Sequence, residues 1–222
     1  MEHQKIDLLD ASWRIPDGVR DGAPVIALLH GRGSDREDMA ELTGWLPSEA
    51  VLAFPNAPFP AAPWGYGPGW AWYRFLGGAR PEPASLSRGQ RALSEWIDAL
   101  PAALPVRPGP LILGGFSQGG TSALAWALRH PGRALGVLCL SGFVPEHPGV
   151  PVTAESCRGL RVFWGHGTLD GSVPFSLAVA GRRALAAAGA RVEARDYPAG
   201  HTITTEELSD LTGWLDDLLG LQ

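Results

Sequence analysis

The chain has 222 residues, 45% of them hydrophobic, which is enough for one sizeable core, and α/β folds often use this length as a single domain. Its formal charge of -5 comes with no long basic run, which argues against nucleic acid or an acidic membrane surface as a partner. The start Met1-Glu2-His3-Gln4-Lys5-Ile6 has neither the basic segment nor the apolar stretch of a secretion signal, and no apolar run approaches about 20 residues, so an unexported, cytoplasmic chain without stable membrane insertion is expected.

Residues 6–14 read as short edge strands before the Pro16-Asp17-Gly18 turn. Val25 to Leu29 is an apolar run too short for a helix, bounded by Pro24 and His30-Gly31, and suits a strand covered on both faces. The loop that follows, His30-Gly31-Arg32-Gly33-Ser34-Asp35, has glycines that allow close backbone approach, and Ser34 or Asp35 can cap the next helix. A helix over 36–46 ends before Pro47, and 50–54 gives the next strand. Seven of the twenty prolines then lie in 55–83, interleaved with Phe59, Trp64, Tyr66, Trp70, Trp72, Tyr73 and Phe75. Proline at this density forbids a long helix, and so many rings are costly to leave in water, so the segment reads as a compact cap loop packed on the domain.

A helical period over 85–104 leads through Pro105 and Pro110 to Leu111-Ile112-Leu113-Gly114-Gly115-Phe116-Ser117-Gln118-Gly119-Gly120. An apolar strand, a G-x-S-x-G turn and a helical pattern in succession form a nucleophile elbow, in which Gly115 and Gly119 let strand and helix backbones nearly touch. The turn presents the Ser117 hydroxyl and places the Gln118 N–H at a helix start, where an oxyanion is favoured. The second oxyanion donor of such a site comes from the loop after an early strand, which makes the Arg32 N–H the candidate.

Strands over 135–140 and 160–164 follow, then Gly165-His166-Gly167-Thr168-Leu169-Asp170, a helix over 174–188, a last strand over 192–197, and Pro198-Ala199-Gly200-His201 before a helix whose start is marked by Thr204 or Thr205 with Glu206 and Glu207. The alternation predicts an α/β fold with a mostly parallel central sheet, helices on both faces and the site at the carboxyl edge. A carboxylate that orients a catalytic imidazole belongs on such a loop, and Asp170 fits; His201 leaves a strand end, and the order Ser117, Asp170, His201 suits the elbow. His166 is the rival base and reads better as a hydrogen-bonded loop histidine, while His30 reads as a packing residue. A metal site from His30, Asp35, His166 and Asp170 is conceivable by residue type, but nothing has zinc-ligand spacing. Cys139 in an apolar run and Cys157 in a polar stretch suggest reduced thiols.

With these residues in place the chain resembles the carboxylesterase and phospholipase branch of the α/β-hydrolases, which includes acyl-protein thioesterases. The segments that carry the likeness are LHGRGSDRED, FPNAPFP, AWYRF, GFSQGG, LSGFVP, HGTLDGSVP and YPAGHTITTEEL. HGRG with AWY is most similar to bacterial esterase-like members; Arg74 follows the aromatic pair where eukaryotic thioesterases commonly carry aspartate. The resemblance implies one α/β-hydrolase domain over 1–222, with 55–83 as its cap loop, and ester hydrolysis by Ser117, Asp170 and His201 with N–H groups from Arg32 and Gln118. No cofactor is implied, the partner is a small-molecule ester, and pairing into a homodimer stays open. Phe59, Trp64, Trp70, Trp72 and Val173 are the expected walls of a pocket for short to medium acyl chains. Thioester or lysophospholipid hydrolysis is the neighbouring reading. A ligand-binding module without hydrolysis is the reading from another class, and the presence of all three triad residues argues against it.

Overall fold

The structure, a computed structural model, describes residues 2–6 and 9–221 and the side chains of 9–221. Two strands open the chain, β1 (Glu2–Ile6) and β2 (Leu9–Arg14), and Val25–Leu29 forms β3. The expected edge segment over 6–14 thus becomes the end of β1 and all of β2, with residues 7 and 8 outside the described set. After β3 come α1 (Arg36–Ala40), a 3-10 turn over Glu41–Trp45, and β4 (Val51–Pro55). The cap segment holds β5 (Phe59–Pro60) and β6 (Trp70–Ala71), paired antiparallel, with a 3-10 turn over Ala62–Trp64 between them. The remainder alternates: α2 (Pro83–Ala103), β7 (Leu111–Phe116), α3 (Gln118–Arg129), β8 (Gly136–Leu140), β9 (Arg161–Gly167), α4 (Phe175–Ala187), β10 (Arg191–Tyr197) and α5 (Thr205–Leu219).

The eight-stranded sheet runs β1-β2-β4-β3-β7-β8-β9-β10. The strands from β4 to β10 in that order are parallel, and β1 and β2 add antiparallel pairs at one edge. The central strands β3, β4 and β8 are buried at every position, as two-sided coverage demands of short Val/Ile/Leu runs. Residues alternate along each strand between two cores. Val25, Ala27, Leu29, Leu113 and Trp164 point to the layer containing Leu93 and Trp96 of α2, Trp126 of α3 and Leu185 of α4. Ile26, Leu28, Leu52, Ile112 and Phe163 point to the layer containing Met39 of α1 and Leu211 and Leu215 of α5. The sheet is therefore mostly parallel, with helices on both faces.

The helix expected over 36–46 is shorter than its pattern. α-Helix gives way to a 3-10 turn at Glu41. The turn contains Thr43 and Gly44, two poor helix formers, and the Thr43 hydroxyl donates to the Ala40 carbonyl at 2.6 Å. The expected strand 160–164 extends through Gly167, so His166 lies on the strand and not in a loop. Asp35, rather than Ser34, caps α1, its side chain accepting the Glu37 N–H at 3.0 Å; Thr204 caps α5 by accepting from the Glu207 N–H at 3.1 Å.

β3 and β7 are neighbours, yet the chain leaves β3 toward β4 on one side and β7 toward β8 on the other. That reversal opens a crevice beyond their carboxyl ends, the usual place for a ligand in an open α/β sheet. The loop 30–35 leaves β3 there, and the Ser117 turn leaves β7 beside it.

Candidate active site

Ser117 sits between β7 and α3 with φ 55 and ψ -114, one of two non-glycine residues with positive φ among the described residues. A strained residue persists only where its surroundings over-determine it. Here a Cβ on Gly115 or Gly119 would collide with the Leu29 carbonyl of β3, so only glycines let the turn pack this close. The Ser117 N–H is tied to the Leu140 carbonyl at 2.7 Å, and its own carbonyl accepts from Thr121 at 3.0 Å.

The three residues expected to act together lie in one hydrogen-bonded row. His201 Nε2 is 2.9 Å from Ser117 Oγ, and His201 Nδ1 is 2.7 Å from Asp170 Oδ2. The other Asp170 oxygen accepts the Ser172 and Val173 N–H groups, both at 2.8 Å. Burial alone would raise the Asp170 carboxyl, but hydrogen bonds from His201, Val173 and Ser172 together outweigh it and hold the carboxyl below the ordinary carboxylate range. An ionised Asp170 fixes the imidazole with its proton on Nδ1 and its lone pair facing Ser117. The Phe116 ring lies 4.7 Å from the His201 ring, centre to centre, and steadies its other side.

The two remaining histidines of interest, His30 and His166, are each engaged by backbone groups. His30 is fully buried, with Nδ1 2.7 Å from the Gly31 carbonyl and Nε2 accepting the Ala57 N–H at 2.9 Å; burial pushes its titration down. His166 is also fully buried; its Nε2 donates to the Val173 carbonyl at 2.9 Å and stands 3.4 Å from Asp170 Oδ2. Burial lowers its titration too, so it supports the acid loop from beneath. His30 and Asp35 are engaged elsewhere than the His166–Asp170 pair, and among the described residues no three potential ligands gather as a metal site.

Arg32 and Gln118, the two expected oxyanion donors, both line the cavity in front of Ser117. Gln118 opens α3, where the first N–H groups have no helical partner. Its side chain does something the sequence did not reveal: Oε1 accepts the Trp72 N–H at 2.8 Å and Nε2 donates to the Tyr73 carbonyl at 2.7 Å. The residue after Ser117 thereby pins the cap loop.

The cavity measures about 190 Å³, and its apolar walls are Tyr73, Phe75, Phe116, Phe143 and Val173. Of the five expected wall residues only Val173 is present. Trp72 is 1% exposed and turns into the core, its Nε1 donating to the His30 carbonyl at 3.0 Å. Phe59 packs on Trp64 and under the Arg88 guanidinium, and Trp64 on Tyr66, so these rings form a small cluster of the cap's own, while Trp70, its backbone paired with Ser34, packs against the main core. Phe75 and Phe143, 6.1 Å apart, replace them. Tyr73 and Phe75 stood in the aromatic segment, and Phe116 and Phe143 in the GFSQGG and LSGFVP segments, but no periodicity there indicates which rings face the serine.

Residues 13–219 match the family model described as Phospholipase/Carboxylesterase. The chain belongs to this family of α/β-hydrolases. It is 31% identical over 208 residues to a probable carboxylesterase of Oryza sativa subsp. japonica, covering 86% of either chain. It is 30% identical over 228 residues to acyl-protein thioesterase 1 of Cryptococcus neoformans, covering 87% of this chain and 92% of that one. Its fold superposes on the crystal structure of esterase PE8 with a TM-score of 0.81 at 26% identity, over 95% of this chain and 99% of that one. The phospholipase/carboxylesterase-family chain is thus a serine hydrolase of the carboxylesterase and acyl-protein thioesterase type. Among its described residues no helix is long and apolar enough to cross a membrane.

Proposed function

We propose that this α/β-hydrolase cleaves carboxylic esters of short to medium acyl chains through an acyl-enzyme on Ser117. The observation that carries the reading is the unbroken row from Asp170 through His201 to Ser117 Oγ. His201 Nε2 takes the Ser117 proton as Oγ attacks the ester carbonyl, and the backbone N–H groups of Arg32 and Gln118 hold the oxyanion. The tetrahedral adduct collapses as His201 returns that proton to the leaving alcohol. Water, deprotonated by the same imidazole, then releases the acid and restores the serine. Asp170 stays ionised throughout and stabilises the imidazolium that forms twice in each cycle.

Chain length follows from space. A cavity of about 190 Å³ falls below the roughly 300–1,000 Å³ of sites for drug-sized ligands. Its apolar rings gain about 0.8 kcal/mol for each CH₂ shielded from water until the space is filled. Thioester hydrolysis is the second reading, favoured by the thioesterase relative from Cryptococcus neoformans and requiring no change of residues. The two buried, unpaired thiols of Cys139 and Cys157 suit a reducing compartment such as the cytoplasm.

The test is a p-nitrophenyl ester series from acetate to dodecanoate, run beside labelling with a small serine phosphonate. The expected result is one phosphonate on Ser117 and a kcat/KM that rises and then falls with acyl length. A phosphonate on another residue, or no ester turnover, would contradict it.

A further inference from the structure

The side chain of Arg32 has no part in the proton transfers just described, yet it lines the same cavity as Ser117. Its guanidinium carbon lies 4.6 Å from the centre of the Tyr66 ring and 5.7 Å from that of Phe75. This platform is braced. The Tyr66 hydroxyl oxygen accepts the Phe75 N–H at 2.8 Å, the Gly33 N–H donates to the Trp70 carbonyl at 2.8 Å, and the Trp70 N–H donates to the Ser34 carbonyl at 2.8 Å. Gly33 has φ +81, and a Cβ there would collide with the Tyr66 carbonyl, so the loop is clamped to the cap directly after Arg32.

Several other arginines meet an acid: Arg36 meets Asp10, Arg107 meets Asp21, Arg133 meets Asp98 and Arg182 meets Asp196. Among the described residues Arg32 meets only the two rings, and no carboxylate or carbonyl takes its side-chain N–H groups. A guanidinium held over a ring without a hydrogen-bond acceptor still offers N–H donors that match the two oxygens of a carboxylate. The cavity's one lining carboxylate, Asp38, also borders a second crevice lined by Glu41, Phe116, His201 and Thr202, which Arg32 does not line. A charged substrate in this cavity meets both signs: its anionic group is drawn to Arg32 and repelled by Asp38.

We propose that the Arg32 side chain is a specificity residue that selects esters carrying a carboxylate a few bonds from the scissile carbonyl. The inference rests on the ester-hydrolase reading above and adds the substrate's charge to it.

The experiment uses two pairs of substrates that differ only in charge. Monomethyl adipate against methyl adipamate places the carboxylate on the acyl side, and 4-acetoxybenzoate against 4-acetoxybenzamide places it on the alcohol side. The readout is the carboxylate-to-amide ratio of kcat/KM within one protein, so any damage to the neighbouring backbone donor cancels. In the wild-type protein one pair should favour the carboxylate by about five- to tenfold at low salt, and the excess should shrink as salt is added. Arg32→Gln should bring that ratio to about 1 or below, because Asp38 remains, while Arg32→Lys should keep part of it. An excess in either pair supports the assignment and says which side of the ester meets Arg32. Ratios near 1 in both pairs, or an excess that survives Arg32→Gln, overturn it while leaving ester hydrolysis intact. No turnover of any of the four substrates would overturn the hydrolase reading, and this inference with it.

Discussion

The side-chain oxygen of Gln118 accepts the backbone N–H of Trp72 at 2.8 Å, so the residue after Ser117 also holds the cap in place. Its amide nitrogen completes the tie by donating to the Tyr73 carbonyl at 2.7 Å. Gln118→Ala keeps the backbone N–H but strands two buried polar groups, at about 1–3 kcal/mol each. Urea unfolding should report a loss of roughly 2–4 kcal/mol. The lost tie also frees Tyr73 from the cavity wall, so kcat/KM should fall for every ester. Unchanged stability would mean that water or neighbours replace both bonds at no cost.

Trp72 and Phe143 separate packing from selectivity. Trp72 is 1% exposed and bonded to His30, so Trp72→Ala should cost about 3–5 kcal/mol and lower activity alike for all acyl lengths. Phe143→Ala opens the cavity wall and should shift the preferred acyl chain upward by one or two carbons. Thermal unfolding with kcat/KM across acyl length distinguishes them; a length-selective effect of Trp72→Ala would return that ring to the pocket.

These two residues also mark how far the sequence can be read. Val25–Leu29, Leu111–Phe116 and Gly136–Leu140 announce themselves because a strand covered on both faces must be a short apolar run. The elbow is legible because its strain demands Gly115 and Gly119, and those glycines stand beside the serine in sequence. Asp170 and His201 follow from their places after β9 and β10. Trp72 and Tyr73 are adjacent in a segment without period, and which one faces Ser117 is decided by bonds to Gln118 and His30, 46 and 42 residues away. Arg36–Ala40 ends early although the apolar spacing continues, because Thr43 and Gly44 are poor helix formers and the backbone tightens there into a 3-10 turn.

Glu207 gives the stability a pH dependence. Its carboxyl is 1% exposed, lies against Gly165 of β9, and has neither oxygen in a well-formed hydrogen bond. Burial pushes it from 4.5 up to about 7, against the pull of the Thr204 N–H and Arg182. A folded state that holds a proton the unfolded chain has released loses stability as pH rises between those two values and is level above them. Glu207→Gln should flatten that decline and be more stable than wild type at pH 8 by on the order of 2–3 kcal/mol. Denaturant midpoints at pH 5 and pH 8 check this; parallel pH dependence in both proteins would contradict it.

His166 and His201 both approach Asp170 Oδ2, at 3.4 and 2.7 Å, but only His201 reaches the serine. His201→Ala should abolish turnover, whereas His166→Gln should retain a measurable rate, since its task is the bond to Val173 that shapes the acid loop. Single-turnover acylation rates decide between them, and the reverse order would move the base to His166.

The central claim is that Ser117 is the nucleophile of this site, and turnover by Ser117→Ala tests it most directly. The substitution removes one hydroxyl from a turn held by glycines and backbone bonds, so circular dichroism and thermal unfolding should show a folded protein. On p-nitrophenyl butyrate its kcat should fall by on the order of 10⁴ to 10⁶. A folded Ser117→Ala protein that kept more than about a tenth of wild-type kcat, where loss of a triad member should leave almost none, would contradict the account.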